Sequence, residues 1–167
     1  LFMVRYRKYR KYKKAYKLQK YSNETQIAAF NVPIPQQGQN PVTQIQPLVA
    51  NTATEGMRKV KNFTICIQTT SPIPIQWALI YVPEGTANVG NPLNNQNAAT
   101  VSLYEPNQNV IMSGAIVEND GAQIRITILA RNLNSGDQIS LYCSPITGQQ
   151  QGNLVDFYIQ LNYAISY

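Results

Sequence analysis

Residues 6–17 read YRKYRKYKKAYK, a repeated unit of one tyrosine followed by basic residues. Nine of the chain's 14 lysines and arginines lie between Arg5 and Lys20, and no acidic residue precedes Glu24. Two kinds of chemistry suit this pattern. Lysine and arginine neutralise phosphates and release condensed counterions without reading a base sequence. Tyrosine rings stack on unpaired bases, contributing about 1–3 kcal/mol per base, again whatever the sequence. The candidate nucleic-acid-binding residues are therefore Arg5, Arg7, Lys8, Arg10, Lys11, Lys13, Lys14 and Lys17, with Tyr6, Tyr9, Tyr12 and Tyr16 as stacking partners. Tyr6, Tyr9 and Tyr12 recur every third residue, which lines one edge of a polyproline-like extended chain. With Tyr16 they also fall within about a third of a helix circumference. The pattern fits either form. The plainer alternative is a solvated charge run whose tyrosines pack against protein.

Other chemistry is scarce. The chain has no histidine, so Ser-His and Cys-His nucleophile pairs are impossible. No GxxxxGK loop or GxGxxG turn is present. The carboxylates are scattered, and Glu118 and Asp120 flank an END-G stretch whose residues suit a turn. Cys66 and Cys143 sit in apolar runs without CxxC spacing, which predicts two reduced core residues and no metal site. These features predict a protein that is not an enzyme and needs no cofactor.

The charge is unevenly divided. Residues 1–21 carry nine basic residues and no acids, whereas 22–167 carry five against eight carboxylates. A basic arm (1–21) on a slightly acidic body (22–167) calls for a polyanionic partner, nucleic acid or an anionic surface. No run approaches the ~20 apolar residues of a membrane span, and the apolar core of a signal peptide is missing. Met3 reads as a natural initiator.

The elements that must carry the arm are strands. Short β-branched and aromatic runs, cut by Pro, Gly and Asn, predict eight of them: 25–34, 42–50, 57–70, 74–83, 109–118, 122–131, 138–144 and 156–167. Period-two alternation predicts a core of Phe63, Ile65, Ile67, Trp77, Leu79, Ile124, Ile126, Ile128, Ile159 and Leu161. Eight strands suit an all-β antiparallel sandwich or barrel. The Asn- and Gln-rich segment 84–108 is about twice an ordinary loop and reads as a surface excursion.

Three stretches, WALIYVPEGT (77–86), SLYEPNQNVIMSGAIVENDGAQIRI (102–126) and ARNLNSGDQISLYC (130–143), resemble the capsid proteins of circular, Rep-encoding single-stranded DNA viruses, the circovirus-like group. MRKVKNFTI (57–65) is similar to a basic-aliphatic strand of those proteins. The resemblance implies a single eight-stranded jelly roll with sheets BIDG and CHEF. It also implies a homo-oligomeric, 60-copy T=1 icosahedral shell in the virion, and a single-stranded DNA cargo held by the arm. An RNA cargo stays open, because small RNA-virus capsids also join a jelly roll to a basic arm. The same arm suits host nuclear import, which would place the protein in the nucleus during assembly. On local turn chemistry END-G predicts a hairpin between strands five and six, whereas a jelly roll needs that link to cross between sheets. Two other readings of the chain compete: a nucleic-acid-binding β-domain that does not assemble, and a membrane-surface protein whose arm meets anionic lipid.

Overall fold

In a computed structural model the described residues are 20–36, 38–39, 41–53, 56–86, 109–117, 122–146 and 153–167. They form eight strands: β1 (Ser22–Ile34), β2 (Gln44–Val49), β3 (Arg58–Thr69), β4 (Ile75–Val82), β5 (Val110–Ile116), β6 (Ala122–Leu133), β7 (Gln138–Pro145) and β8 (Asn153–Ser166). All eight lie within a few residues of the predicted segments. β1 starts earlier than its apolar run because Ser22, Asn23 and Glu24 pair with Ile165, Ala164 and Tyr163 of β8. Ladder pairing there outweighs weak strand propensity.

The strands make two antiparallel four-stranded sheets, ordered β1-β8-β3-β6 and β2-β7-β4-β5. With β1 to β8 lettered B to I, these are BIDG and CHEF, the two sheets of a jelly roll. END-G is therefore not a hairpin link. β5 pairs with β4 and β6 with β3, so the chain changes sheets between Val117 and Ala122. Five residue steps reach about 17 Å, enough to bridge the roughly 10 Å between packed sheets. Residues 118–121, and 87–108 of the predicted excursion, lie outside the described residues.

The core fills the space between the sheets. Phe63, Ile65 and Ile67 of β3 and Phe157, Ile159, Leu161 and Ile165 of β8 meet Ile75, Trp77 and Leu79 of β4 and Ile139, Leu141 and Cys143 of β7. Phe30 stacks on Phe157 with ring centroids 5.8 Å apart. On β3 the inward phase slips at Asn62, whose φ of 56° is a left-handed conformation that Asn tolerates. Val60 and Phe63 are consequently both buried, although they are three residues apart.

β4 is more buried than its alternation suggests. Ala78, Ile80 and Val82, on its other face, join Val110 and Tyr142 in a second apolar cluster, with Ile45 packed beside it. The central strands β4 and β7 of that sheet therefore bury most of both faces, and the run ALIYV is the sequence trace on β4.

The predicted core is wrong on β6. Ile124, Ile126 and Ile128 are exposed by 64, 73 and 85 %. Register explains the inversion: Phe63, Ile65 and Ile67 point inward, and their partners are Thr127, Arg125 and Gln123. The inward face of β6 is thus the polar one, and its isoleucines lie opposite the outward Thr64 and Cys66. Cys66 is likewise only half-buried, on the outer face, whereas Cys143 lies in the core, where burial pushes its thiol pKa up. Both thiols are free. We expect Ile126→Ala to shift the unfolding free energy of the unassembled subunit by no more than about 0.5 kcal/mol. Ile65→Ala, at a fully buried site beside it, should cost about 2–5 kcal/mol in the same urea titration.

Candidate nucleic-acid interface and the sandwich ends

The twelve candidate residues between Arg5 and Lys17 lie outside the described residues. The description of the arm begins with Lys20 and Tyr21, just ahead of β1. Lys20 is exposed, and the Tyr21 ring lies under Lys61 of β3, with Nζ 3.8 Å from the ring centroid. Such a cation–π contact contributes roughly 0.5–1 kcal/mol at an exposed site.

This contact locates the root of the arm. Alternation along Arg58-Lys59-Val60-Lys61 turns Arg58 and Val60 inward and leaves Lys59 and Lys61 on the outer face of β1-β8-β3-β6. Their β8 partners are Ser166 and Ala164. Lys20, Lys59 and Lys61 therefore sit at one end of that sheet, where the arm joins it. Glu24 turns to the other face. Its carboxylate accepts hydrogen bonds from the hydroxyls of Tyr163 (2.8 Å) and Tyr167 (3.4 Å). Burial, with the bond to Glu24, pushes the Tyr163 phenol up to about 12, while a bond from Gln26 opposes the shift. Sequence reasoning ended the candidate basic run at Lys17 and did not bring Lys20, Lys59 and Lys61 together. The period-two spacing of the last two within a strand was the available signal.

Among the described residues, no group of three or more Cys, Asp or Glu side chains could hold a metal ion. No helix among them is long and apolar enough to cross a membrane. The densest polar cluster is at the sandwich end built by the β2–β3, β4–β5 and β6–β7 links, around Asp137. Its carboxylate accepts hydrogen bonds from the Tyr81 hydroxyl (2.7 Å), the Glu84 amide (2.9 Å) and the Asn134 amide (2.7 Å). Buried Arg58 donates to the carbonyls of Ala50 and Asp137, tying the links together. Gly136 (φ 83°) makes the turn before Asp137, and a Cβ there would collide with the Glu84 side chain. Both carboxylate oxygens of Asp137 thus accept from donors fixed on neighbouring links, so the cluster clamps loops.

Burial alone would raise the Asp137 pKa; the bonds from Tyr81, Glu84 and Asn134 outweigh it and hold the carboxyl below its ordinary value. The opposite holds for Tyr81, which burial and its bond to Asp137 push up to about 12. A carboxylate whose pKa falls on folding adds stability above its unfolded pKa and loses it as pH falls through the folded value. A phenol whose pKa rises on folding adds stability below about pH 10 and loses it as pH rises towards 12. Urea titrations should therefore give a stability plateau through neutral pH, with losses below about pH 4 and above about pH 10. Asp137→Ala should weaken the acid loss. It should also destabilise at neutral pH by about 1–3 kcal/mol for each donor left buried and unpaired.

The strand order defines a jelly-roll protein, with Tyr21 lying against Lys61 on the outer face of its BIDG sheet. No family model matches the sequence, and no curated protein matches it. Among solved structures, 87 % of the chain aligns with a chain from the infectious bursal disease virus Gt strain, at 13 % identity and TM-score 0.38. The Gx strain gives 12 % identity and TM-score 0.37 over the same share. The present chain spans 32 % of each of those chains. The decameric BFDV capsid protein aligns with 87 % of this chain and 97 % of its own, at 9 % identity and TM-score 0.33.

Proposed function

We propose that the chain is a viral capsid subunit that assembles into a small icosahedral shell and packages single-stranded DNA through its basic arm. The observation that carries this reading is the BIDG/CHEF strand order, in a chain whose basic run leads into Tyr21 on one outer sheet face. The resemblance of 77–86, 102–126 and 130–143 to circovirus-like capsids supports it and favours single-stranded DNA and a 60-copy T=1 shell. On this reading the arm (1–21) and jelly roll (22–167) are separate working parts. Arg5, Arg7, Lys8, Arg10, Lys11, Lys13, Lys14 and Lys17 neutralise phosphates, and Tyr6, Tyr9, Tyr12 and Tyr16 stack on bases. Lys20, Lys59 and Lys61 extend the phosphate-binding surface onto the sheet, which then faces the shell interior. The arm also serves nuclear import, and the shell meets a host receptor.

An assembling subunit also explains the exposed isoleucines of β6, because contiguous apolar surface on a monomer marks an interaction site. A β-domain that only binds nucleic acid has no use for them. The test is light scattering after size exclusion, with electron microscopy, on the full chain over a range of protein and salt concentrations. Closed particles holding DNase-sensitive nucleic acid are expected. A monodisperse monomer at high concentration overturns the capsid reading, and an RNase-sensitive cargo overturns the choice of DNA.

A further inference from the structure

We propose that β6 pairs edge to edge with β6 of a second copy, antiparallel about a two-fold axis through Ile126. This names a contact for the self-assembly proposed above and rests on that reading. Among the described residues four strands form sheet edges: β1, β2, β5 and β6. Open edges invite further strands, and natural sequences blunt them with short length, charged side chains, Pro or a bulge. β1 contains Pro33 and β5 is seven residues long with Gly114. β2 contains Pro47, where its ladder shifts register. The twelve-residue β6, AQIRITILARNL, has neither Pro nor Gly. Its ladder on β3 keeps register from Ala122 to Thr127 and shifts only beyond, between Thr127 and Ala130, and its charges are Arg125 and Arg131.

The outer face of β6 shows how such an edge would be used. Ile124, Ile126 and Ile128 are exposed, but across the sheet they adjoin Thr64 and Cys66 of β3, followed by Asn162 and Gln160 of β8. The apolar stripe is one strand wide. A partner lying flat on the sheet would cover mostly polar side chains, whereas one alongside β6 would meet the isoleucines alone.

The residue order then selects a second copy of the same strand. Antiparallel self-pairing centred on Ile126 sets Ile126 against Ile126 and Ile124 against Ile128, so each isoleucine meets an isoleucine. On the opposite face Arg125 meets Thr127. Centring on Arg125 would oppose two arginines and leave Ile128 against Ala122. Centring on Thr127 would leave Ile124 against Ala130. Directly opposed side chains decide antiparallel register, and like charges there are unfavourable. The contact is isologous, as a two-fold axis requires, and joins the two sheets as β1-β8-β3-β6-β6-β3-β8-β1.

Cysteine cross-linking in the full chain tests it, in a Cys66→Ser background because Cys66 lies opposite Ile124. Cα atoms of opposed residues in an antiparallel pair are about 4.5–5.5 Å apart, within disulfide reach. Under mild oxidation Ile126→Cys should give a covalent dimer at least about tenfold faster than Ile27→Cys, a residue equally exposed on the same sheet's other edge. Ile124→Cys and Ile128→Cys should cross-link with each other when mixed, and far more slowly alone. Ile126→Lys should abolish the pair while leaving the urea midpoint in place. Ile126→Cys reacting no faster than Ile27→Cys, or Ile124→Cys dimerising as fast alone as mixed, overturns the pairing. Closed particles without the Ile126 cross-link would sink this contact and leave the capsid reading standing. The cross-link without closed particles would do the reverse.

Discussion

Removing residues 1–19 should leave the sandwich folded and particles forming, and should reduce packaged nucleic acid to background. Residues 1–19 hold eight of the 14 basic residues, and their loss leaves six against eight carboxylates, a body that repels phosphate. Tyr21 stays over Lys61, so the root of the sheet is undisturbed. The readout is the ratio of absorbance at 260 and 280 nm in purified particles. Cargo retained at the full-length level would mean that the sheet face, not the arm, holds the genome. Replacing Tyr6, Tyr9, Tyr12 and Tyr16 with Ala separates the two chemistries of the arm. The salt slope of binding counts phosphate contacts and should stay unchanged. Affinity for single strands should fall by about 1–3 kcal/mol per stacked base, while affinity for duplex DNA barely moves. Equal loss on both substrates, or none on either, would return the tyrosines to protein packing.

The second large effect is in the core. Trp77→Ala should destabilise the unassembled subunit by about 3–5 kcal/mol, at the limit of what one substitution does. Trp77 is fully buried, and its indole N–H donates to Gln123 Oε1 at 2.9 Å. Gln123 Nε2 in turn donates to the Ala115 carbonyl at 3.0 Å, so this link ties β6 to β4 and β5 where the two sheets meet. The ring lies on Gly114, where a Cβ would come within 2.8 Å of Cζ2. Gly114→Ala should therefore cost about 1–3 kcal/mol through overpacking. In a Trp77→Phe background it should cost less, because the smaller ring vacates part of that space. Additive losses in this double-mutant cycle, read from urea midpoints, would show that the two positions are not coupled.

Much of this molecule is legible in one dimension. Strand positions follow from residue types and local periodicity, and the uneven spread of charge along the chain is read directly from it. A β-run shows its alternation whether or not its partner strand is known, and counting charges needs no fold at all. Periodicity also tells which residues share a face, and on β6 it correctly grouped Ile124, Ile126 and Ile128 against Arg125 and Thr127. It cannot tell which face is inside. That was settled by the register of β6 on β3, a contact between segments some sixty residues apart, which turned Arg125 towards the core side with Ile65 and the isoleucines outward. The END-G link was decided the same way. Local turn chemistry favours a hairpin, but β6 finds its partner in β3 and leaves β5 in the other sheet. Lys59 and Lys61 joined the arm's root only when Tyr21 and β3 met in space. Hydrophobicity and charge are properties of single residues and can be read from the chain, whereas inside and outside belong to pairs of strands and exist only once those strands have met.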